Sequence, residues 1–358
     1  MTGKIFSKQA ADSRRVGLGF LGGPYTVQQM AEAVRLAEQS GFESAWAAND
    51  IGGRDPYIAL ASWVMVTQRM RLGVAVSNPY TRHPVELAQT IATLDEASNG
   101  RAVLGIGTGA SWRSLIADHW GKPIGDIKES IRVIRELWAK SETTYRGVAV
   151  SIRDSDWVWP MGAAASFREI IPIYLGAGGP QMTRLAGRIA DGLLIAIFKF
   201  RSVIESQARQ FREAATEAER DPTALEIAPL IGLWVAEADG ELDVMQRTIA
   251  FELSRLDEAV AVEQGFDLNA FRQIKDIYAR HASQGGVVKY GREPAAYEAA
   301  PHVTRQMLEA FAVVGTPDEC ARQLERYVAA GVTLPILVPL GCDVGRVIEV
   351  GRAFLPES

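Results

Sequence analysis

Residues 101–111 read RAVLGIGTGAS, an apolar run that ends in three spaced glycines before a helical pattern begins. The same form recurs at residues 72–84 (LGVAVSNPYTRHP) and at residues 172–182 (PIYLGAGGPQM). Each stretch is typical of a buried strand that runs into a loop and then a helix. Ligands of α/β proteins bind at such junctions. Three of them in one chain predict a single large, partly anionic ligand at one end of the fold.

Eight segments have the apolar pattern of strands, and most are followed by an amphipathic helical pattern. The helix predicted over residues 27–39 has Met30, Val34 and Ala37 on one face, and Gly41 ends it. Repeated strand–helix alternation predicts a parallel sheet, and eight units favour a closed (β/α)8 barrel, the TIM barrel, over an open sheet. The predicted strands cover residues 16–21, 44–48, 72–76, 102–107, 172–177, 192–197, 227–235 and 334–340.

Composition narrows the class of protein. The hydrophobic fraction of 47% supports a packed core, and the net charge of −5 argues against a nucleic-acid or anionic-membrane surface. No apolar run reaches the ~20 residues that span a bilayer, and the N-terminal stretch lacks the apolar region of a signal peptide. Cys320 and Cys342 form neither a CxxC motif nor a metal spacing. We therefore expect a soluble, cytoplasmic protein that acts on a small molecule, with no nucleic-acid or membrane partner.

Two insertions interrupt the alternation. Residues 141–169 contain a β-like stretch (TTYRGVAVSIRD) and an aromatic cluster at Trp157, Val158 and Trp159. Residues 237–315 are long, mostly helical and charged, with a flexible centre predicted at SQGGVVKYG. Insertions that follow barrel strands lie over the catalytic face, so the second one is predicted to form a lid or a pocket wall. No linker separates domains, and residues 1–358 are predicted to form one domain.

The glycine junctions after the fourth and fifth strands suggest a phosphate site. The glycines of GIGTGAS allow close backbone approach, and their free N–H groups form an anion-binding concavity. In GAGGPQM, Pro180 occupies a first helical position, so a helix N-terminus would point at the same space. The alternative is that these glycines only make tight turns. Neither run is a P-loop, and neither has the spacing of a dinucleotide-binding fingerprint.

The junction after the third strand carries different residues. Asn78-Pro79 is a turn signal, and Arg82 and His83 follow it closely. His83 is a candidate catalytic residue, with a structural or solvated role as the alternative. The four histidines do not cluster, and the first strand lacks an HxH motif, so no metal site is predicted.

The segments NPYTRHP, TIATLDEASNGRAVLGIGTG and IPIYLGAGGPQMTRLAGRIADGLLI together resemble the bacterial-luciferase-like superfamily of flavin- and deazaflavin-dependent oxidoreductases. Within it, the chain is most similar to the methylenetetrahydromethanopterin reductase branch, whose members use coenzyme F420. The resemblance covers nearly the whole chain. It implies a (β/α)8 barrel, a homodimer, and a tricyclic ring held at the C-terminal mouth of the barrel.

The resemblance also assigns residues to the cofactor site. A non-prolyl cis peptide that supports the ring would lie at Ala75–Val76, with Ser77 and Asn78 beside it. Arg184 and Lys199 would be counter-charges, although each is equally compatible with a solvated surface charge. The contacts to the phosphate-bearing tail would come from Gly107, Thr108, Gly109, Gly176, Ala177, Gly178 and Gly179.

Three acid–base positions of the relatives are changed in this chain. Ile51 stands where relatives often have a histidine, Gly19 where the reductase branch has an acidic residue, and Ala110 where sugar-phosphate dehydrogenases have a glutamate. The remaining catalytic candidates are Asp50, Asn49 and His83, and the predicted substrate pocket contains Trp46 and Arg54. For Asp50, a helix-capping role is the alternative.

The resulting hypothesis is hydride transfer between C5 of F420 and a small organic substrate. A substrate with an activated carbon needs little help from protein acids, which suits the missing carboxylates. The first alternative is an FMN-dependent two-component monooxygenase, with FMN in place of F420. The second is a flavin-binding barrel without catalytic activity.

Overall fold

All eight predicted strands are present in the computed structural model, which describes residues 14–23, 25–109, 112, 121–139, 145–148, 150–152, 168, 170–235, 243–283 and 293–356. Within these ranges the strands are β1 (Gly17–Phe20), β2 (Ser44–Ala47), β3 (Arg71–Val74), β4 (Ala102–Ile106), β5 (Tyr145–Arg146), β6 (Ser151–Ile152), β7 (Ile173–Gly176), β8 (Gly192–Ile195), β9 (Glu226–Val235), β10 (Ala312–Gly315) and β11 (Ile336–Pro339).

The eight predicted strands pair in parallel and close into a barrel. Around the described barrel the order is β1, β2, β3, β4, β7, β8, β9 and β11. The ring closes because β11 pairs with β1, where Ile336 lies opposite Gly17, and because β8 pairs with β9, where Gly192 lies opposite Glu226. The predicted (β/α)8 fold is therefore confirmed, and all strand ends that precede the junction loops open at one mouth.

Helices surround the barrel, and local sequence signals set their ends. A capping box between Thr26 and Gln29 starts the first helix, and Gly41, with a φ of +89°, follows its end. The helices are α1 (Val27–Gln39), α2 (Pro56–Val64), α3 (Pro84–Ala97), α4 (Pro123–Ala139), α5 (Pro180–Ile189), α6 (Arg201–Glu217), α7 (Asp243–Ser254), α8 (Glu258–Glu263), α9 (Leu268–Ser283), α10 (Pro294–Ala299), α11 (Arg305–Phe311), α12 (Pro317–Ala329) and α13 (Val344–Phe354). Met30, Val34 and Ala37 are buried, as the helical pattern predicted.

The inside of the barrel is filled by large side chains. The rings of Trp46 and Tyr174 lie 5.4 Å apart between their centroids. Gly73 makes room for the indole, since a Cβ at that position would lie 2.4 Å from Cε3 of Trp46. The barrel is thus a packed core and not a pore, so a ligand can enter only at its ends.

Buried charges close the N-terminal end of the barrel. The carboxylate of Glu226 accepts hydrogen bonds from Arg15, Arg71 and the hydroxyl of Tyr174, and Glu43 pairs with both arginines. Burial alone would raise the pKa of Glu226, but the arginine guanidiniums and the tyrosine hydroxyl bring it below its ordinary value. This network stabilises the end of the barrel opposite the glycine junctions.

The described parts of the two insertions agree with the predicted secondary structure, with one addition. In the first, β5 and β6 form an antiparallel hairpin, while Trp157, Val158 and Trp159 lie outside the described residues. In the second, the predicted helices are α7 to α11, and residues 284–291 of SQGGVVKYG lie outside the described residues. The sequence did not predict β10, which extends the sheet by pairing with the end of β9.

The second insertion has its own apolar core. That core also includes Phe200, which follows β8, and Trp234 at the end of β9. The insertion therefore packs against the mouth of the barrel, although its role as a lid stays a prediction. Among the described residues, no helix is long and apolar enough to cross a membrane.

Candidate functional site

The three junctions lie side by side at the mouth of the barrel. The backbone N–H of Ser77 donates to the carbonyl of Gly105 at 2.9 Å, and Gly107 N–H donates to the carbonyl of Ser77 at 2.8 Å. The side chain of Val76 lies between the other two loops, because a Cβ on Gly107 or on Gly176 would each lie 2.9 Å from a Val76 methyl group. Larger residues at either glycine would push these strand ends apart.

The peptide bond Ala75–Val76 is cis, as predicted. Both residues are half-buried and pack on the apolar core inside the barrel. Ser77, next in the chain, is fully buried, and its hydroxyl shares a hydrogen bond with the hydroxyl of Tyr57. Burial raises the pKa of Tyr57 to about 12, so the phenol stays protonated near neutral pH. The mouth thus has an apolar floor whose backbone is held from behind.

Asn78 combines complete burial with an unused donor. Its Oδ1 accepts hydrogen bonds from the N–H groups of Tyr80 at 3.1 Å and Thr81 at 2.9 Å. Its Nδ2 is buried and has no partner, and it faces Gly109, where a Cβ would lie 2.8 Å from it. Gly109 has a φ of +61°, which favours glycine. A buried amide donor without an acceptor is costly, so Asn78 Nδ2 is a candidate contact for a polar ligand atom.

The start of α5 is open and has no side-chain cap. Gly179 is the N-cap and offers no side-chain cap to the free N–H groups of the first turn, and Pro180 follows at the first helical position. A Cβ on Gly178 or Gly179 would meet no atom within 4 Å. The positive end of the helix dipole therefore points into free space beside the β4 loop.

Asp50 provides a carboxylate at the same mouth. The half-buried side chain accepts a hydrogen bond from the backbone N–H of Gly22 at a length of 3.5 Å. Burial raises the pKa of Asp50 above its ordinary value, and the Gly22 hydrogen bond opposes that rise. The alternative role as a helix cap is wrong, because Asp55 caps α2 by accepting from Tyr57 and Ile58.

Three other site candidates have structural contacts and stay predictions. The backbone carbonyl of Asn49 accepts a hydrogen bond from the indole of Trp112 at 2.9 Å. The exposed Arg54 donates to the carbonyl of Gly23 at 3.0 Å. His83 is exposed and caps α3, since its Nδ1 accepts from the N–H of Val85 at 3.3 Å.

One predicted site residue is corrected. Trp46 was expected in the substrate pocket, but its side chain is 1% exposed inside the barrel, and its indole donates to Ser44 at 2.9 Å, away from the mouth. Arg184 forms an ion pair with Glu217 on α6 at 2.6 Å, and its contact with a phosphate stays a prediction. Burial raises the pKa of Glu252 in the second insertion, and the positive charge of the nearby Lys199 partly offsets that rise. Contact between Lys199 and a phosphate stays a prediction.

Sequence reasoning missed Tyr57 and Trp112. Both contact the predicted site through partners far away in the chain, Ser77 and Asn49. No local sequence motif predicts either contact, because each contact depends on which parts of the barrel come together in the fold. Two remaining members of the predicted phosphate loops, Thr108 and Ala177, do lie at the mouth, at the ends of β4 and β7.

The fold and its mouth define a class of protein, the parallel (β/α)8 barrels, whose ligand sites lie at this end. The chain belongs to the luciferase-like monooxygenase family, whose model matches residues 6–334. It is an oxidoreductase of this family, and the resemblance inferred from the sequence is confirmed.

Comparison with individual proteins gives the same placement. The chain is 32% identical over 337 residues to 5,10-methylenetetrahydromethanopterin reductase of Methanolobus tindarius, covering 92% of this chain and 96% of that one. It is 36% identical over 172 residues to F420-dependent glucose-6-phosphate dehydrogenase of Microbacterium testaceum, covering 44% and 49%. The structure of the coenzyme F420-dependent tetrahydromethanopterin reductase from Methanopyrus kandleri superposes with a TM-score of 0.77 at 25% identity, covering 95% and 97%.

Proposed function

We propose that this protein is a coenzyme F420-dependent oxidoreductase that transfers a hydride between C5 of the deazaflavin and a small organic substrate. The observation that carries the proposal is the presence, at one mouth, of the buried Asn78 Nδ2 without a hydrogen-bond partner and of the open N-terminus of α5. Similar proteins that are named as an F420-dependent reductase and an F420-dependent dehydrogenase support this cofactor.

The residues of the mouth fit such a cofactor by chemistry and by shape. Ala75 and Val76 offer an apolar surface for one face of a ring system. Asn78 Nδ2 offers a hydrogen bond to a polar atom of the ligand. Gly178 and Gly179 leave space for a phosphate in front of free N–H groups. When bound, the deazaflavin supplies a carbon that carries a hydride.

The protein's part in the reaction is orientation and proton handling. Ala75 and Val76 would hold one face of the ring away from water, which would leave the opposite face open to the substrate. Asp50 holds its proton more tightly than an ordinary carboxyl because it is buried. It is therefore suited to donate a hydrogen bond to a heteroatom of the substrate. Position 19 in β1 is a glycine and cannot act as an acid, so Asp50, which follows β2, is the proposed acid on this side of the mouth.

Titration of the purified protein with F420 and, separately, with FMN tests the cofactor. We expect F420 to bind more tightly, and reduced F420 to lose its hydride to an acceptor in a panel of imines and conjugated alkenes. Tighter binding of FMN with oxygen consumption would instead support the monooxygenase that the family description also covers. Tight binding of F420 without turnover of any acceptor would support the non-catalytic barrel.

A matched pair of variants tests the site. Asn78→Asp keeps the Oδ1 acceptor used by Tyr80 and Thr81 but replaces the donor, so F420 affinity should fall about tenfold or more. Asn269→Asp adds the same charge at an exposed position on α9 and should leave F420 affinity unchanged. Equal affinity in both variants would exclude Asn78 from the cofactor site.

We also propose a homodimer that forms through α2. This helix (Pro56–Val64) contains no charged residue, although it lies on the outside of the barrel. On its outer face Ile58 is 64% exposed, and Met65, just after the helix, is 81% exposed. An apolar face of this kind on a surface helix indicates a partner, and a second copy offers the same face.

A further inference from the structure

Trp112 connects two strand ends that are not neighbours in the barrel. Its indole N–H donates to the backbone carbonyl of Asn49, directly after β2, at 2.9 Å. Its backbone N–H donates to the carbonyl of Gly109, in the loop after β4, at 2.9 Å. One half-buried residue therefore joins the proposed phosphate loop to the segment that carries the proposed acid.

The path of this connection is set by the barrel. β3 pairs with β2 on one side and with β4 on the other. A contact from the loop after β4 to the end of β2 must pass over the end of β3. Ala75 and Val76 directly follow that end, so the contact between Trp112 and Asn49 spans the same part of the mouth as the floor on which the ring is proposed to lie.

The hydrogen bond from Trp112 to the Asn49 carbonyl also restrains the backbone of Asp50. It belongs to the planar peptide unit that also contains the backbone nitrogen of Asp50, so fixing this carbonyl fixes one side of Asp50. The other side is held because the N–H of Gly53 donates to the Asp50 carbonyl at 3.1 Å. The loops also meet closely here, since a Cβ on Gly22 would lie 2.7 Å from Cα of Gly53. With Trp112 in place, Asp50 is held from both directions.

We infer that Trp112 is a positioning residue, whose indole N–H holds the Asn49–Asp50 peptide and thereby keeps the Asp50 carboxylate aimed into the mouth. The kinetic consequence rests on the proposed function, because it requires Asp50 to act on the substrate. The structural consequence does not, because it concerns the protein without any ligand.

The variant Trp112→Phe removes the N–H and keeps an aromatic ring. Trp138→Phe is the matched control, because the indole of Trp138 also donates to a backbone carbonyl, that of Ala88, at 3.0 Å, but it lies buried between α3 and α4. Amide hydrogen exchange of the free protein, followed by mass spectrometry of the peptide covering residues 47–55, is the first measurement. Steady-state kinetics with F420 at saturation is the second.

We expect amide exchange within residues 47–55 to become about tenfold faster in Trp112→Phe, because the loss of one hydrogen bond destabilises the segment by about that factor. In Trp138→Phe the exchange of the same residues should stay unchanged. We expect kcat to fall about tenfold in Trp112→Phe, while KM and the Kd of F420 change less than about twofold.

Three results would overturn the inference. The first is unchanged exchange in Trp112→Phe, and the second is an equal effect of both variants on exchange. The third is a raised KM or Kd with an unchanged kcat, because the indole would then contact a ligand directly. If the wild-type protein shows no F420 turnover, the proposed function fails, and the exchange measurement still decides whether Trp112 holds the Asp50 segment.

Discussion

The substitution Gly178→Ala should weaken F420 binding without destabilising the free protein. A Cβ at this position would meet no atom within 4 Å, and the φ of Gly178 lies outside the left-handed region. The added methyl group therefore fits the free protein. It also reduces the freedom of the unfolded chain, which stabilises a protein by about 0.4–1 kcal/mol when the backbone conformation suits alanine.

The binding effect follows from the same open space. If a phosphate occupies the space in front of α5, the methyl group must displace it from the N–H groups of the first turn. Forcing an additional methyl group into a filled site costs about 1–3 kcal/mol. At about 1.4 kcal/mol for each factor of ten, the Kd of F420 should rise about 5-fold to 150-fold.

The measurement is a fluorescence titration of F420, combined with thermal unfolding of the free protein. Gly125→Ala is the matched control, because a Cβ at Gly125 would also meet no atom within 4 Å. Gly125 lies in the first turn of a different helix, α4. Both variants should unfold at or slightly above the wild-type Tm, and only Gly178→Ala should lose affinity. Wild-type affinity in Gly178→Ala would refute the placement of the phosphate at α5.

Three further predictions concern other parts of the molecule. Glu226→Gln should lower the free energy of unfolding by about 1.5–3 kcal/mol in urea titrations, because Arg15 and Arg71 lose one of their shared carboxylates and keep the other, Glu43. Since the pKa of Glu226 is lowered in the folded state, its contribution is present above pH ~4.3 and is lost as the pH falls, so wild type and variant should converge in acid. Asp50→Asn should lower kcat about a hundredfold with little change in the Kd of F420, and an unchanged kcat would exclude an acid role. Met65→Glu should shift the protein from dimer to monomer in light scattering, and a persistent dimer would place the interface elsewhere.

The barrel and its mouth were predictable because their signals are local. Apolar runs with period two or continuous burial mark strands, and helix patterns between them impose a parallel order. The glycine spacing of the β4 and β7 junctions is likewise visible along the chain. The position of the cis bond at Ala75–Val76 was not derivable from such patterns, and only the resemblance to a family indicated it.

The error at Trp46 and the ion pair of Arg184 have a common cause. Both faces of a strand in a parallel barrel are buried, so the sequence SAWA cannot show which face turns inward, nor whether the indole points to the mouth. The sequence around a helical arginine does not show which carboxylate it pairs with, and Arg184 pairs with Glu217 on the adjacent helix. Both questions depend on packing between elements.

The number and order of the barrel strands, the location of the glycine junctions and the family could be inferred from the sequence, because contiguous residues carry each of these signals. The three-dimensional arrangement was needed to show that Val76 lies between Gly107 and Gly176, that Asn78 has a buried donor without a partner, and that Trp112 reaches Asn49. These contacts join residues that are far apart in the chain. They exist because barrel closure brings strand ends together, and no local sequence pattern encodes which distant residues then come into contact.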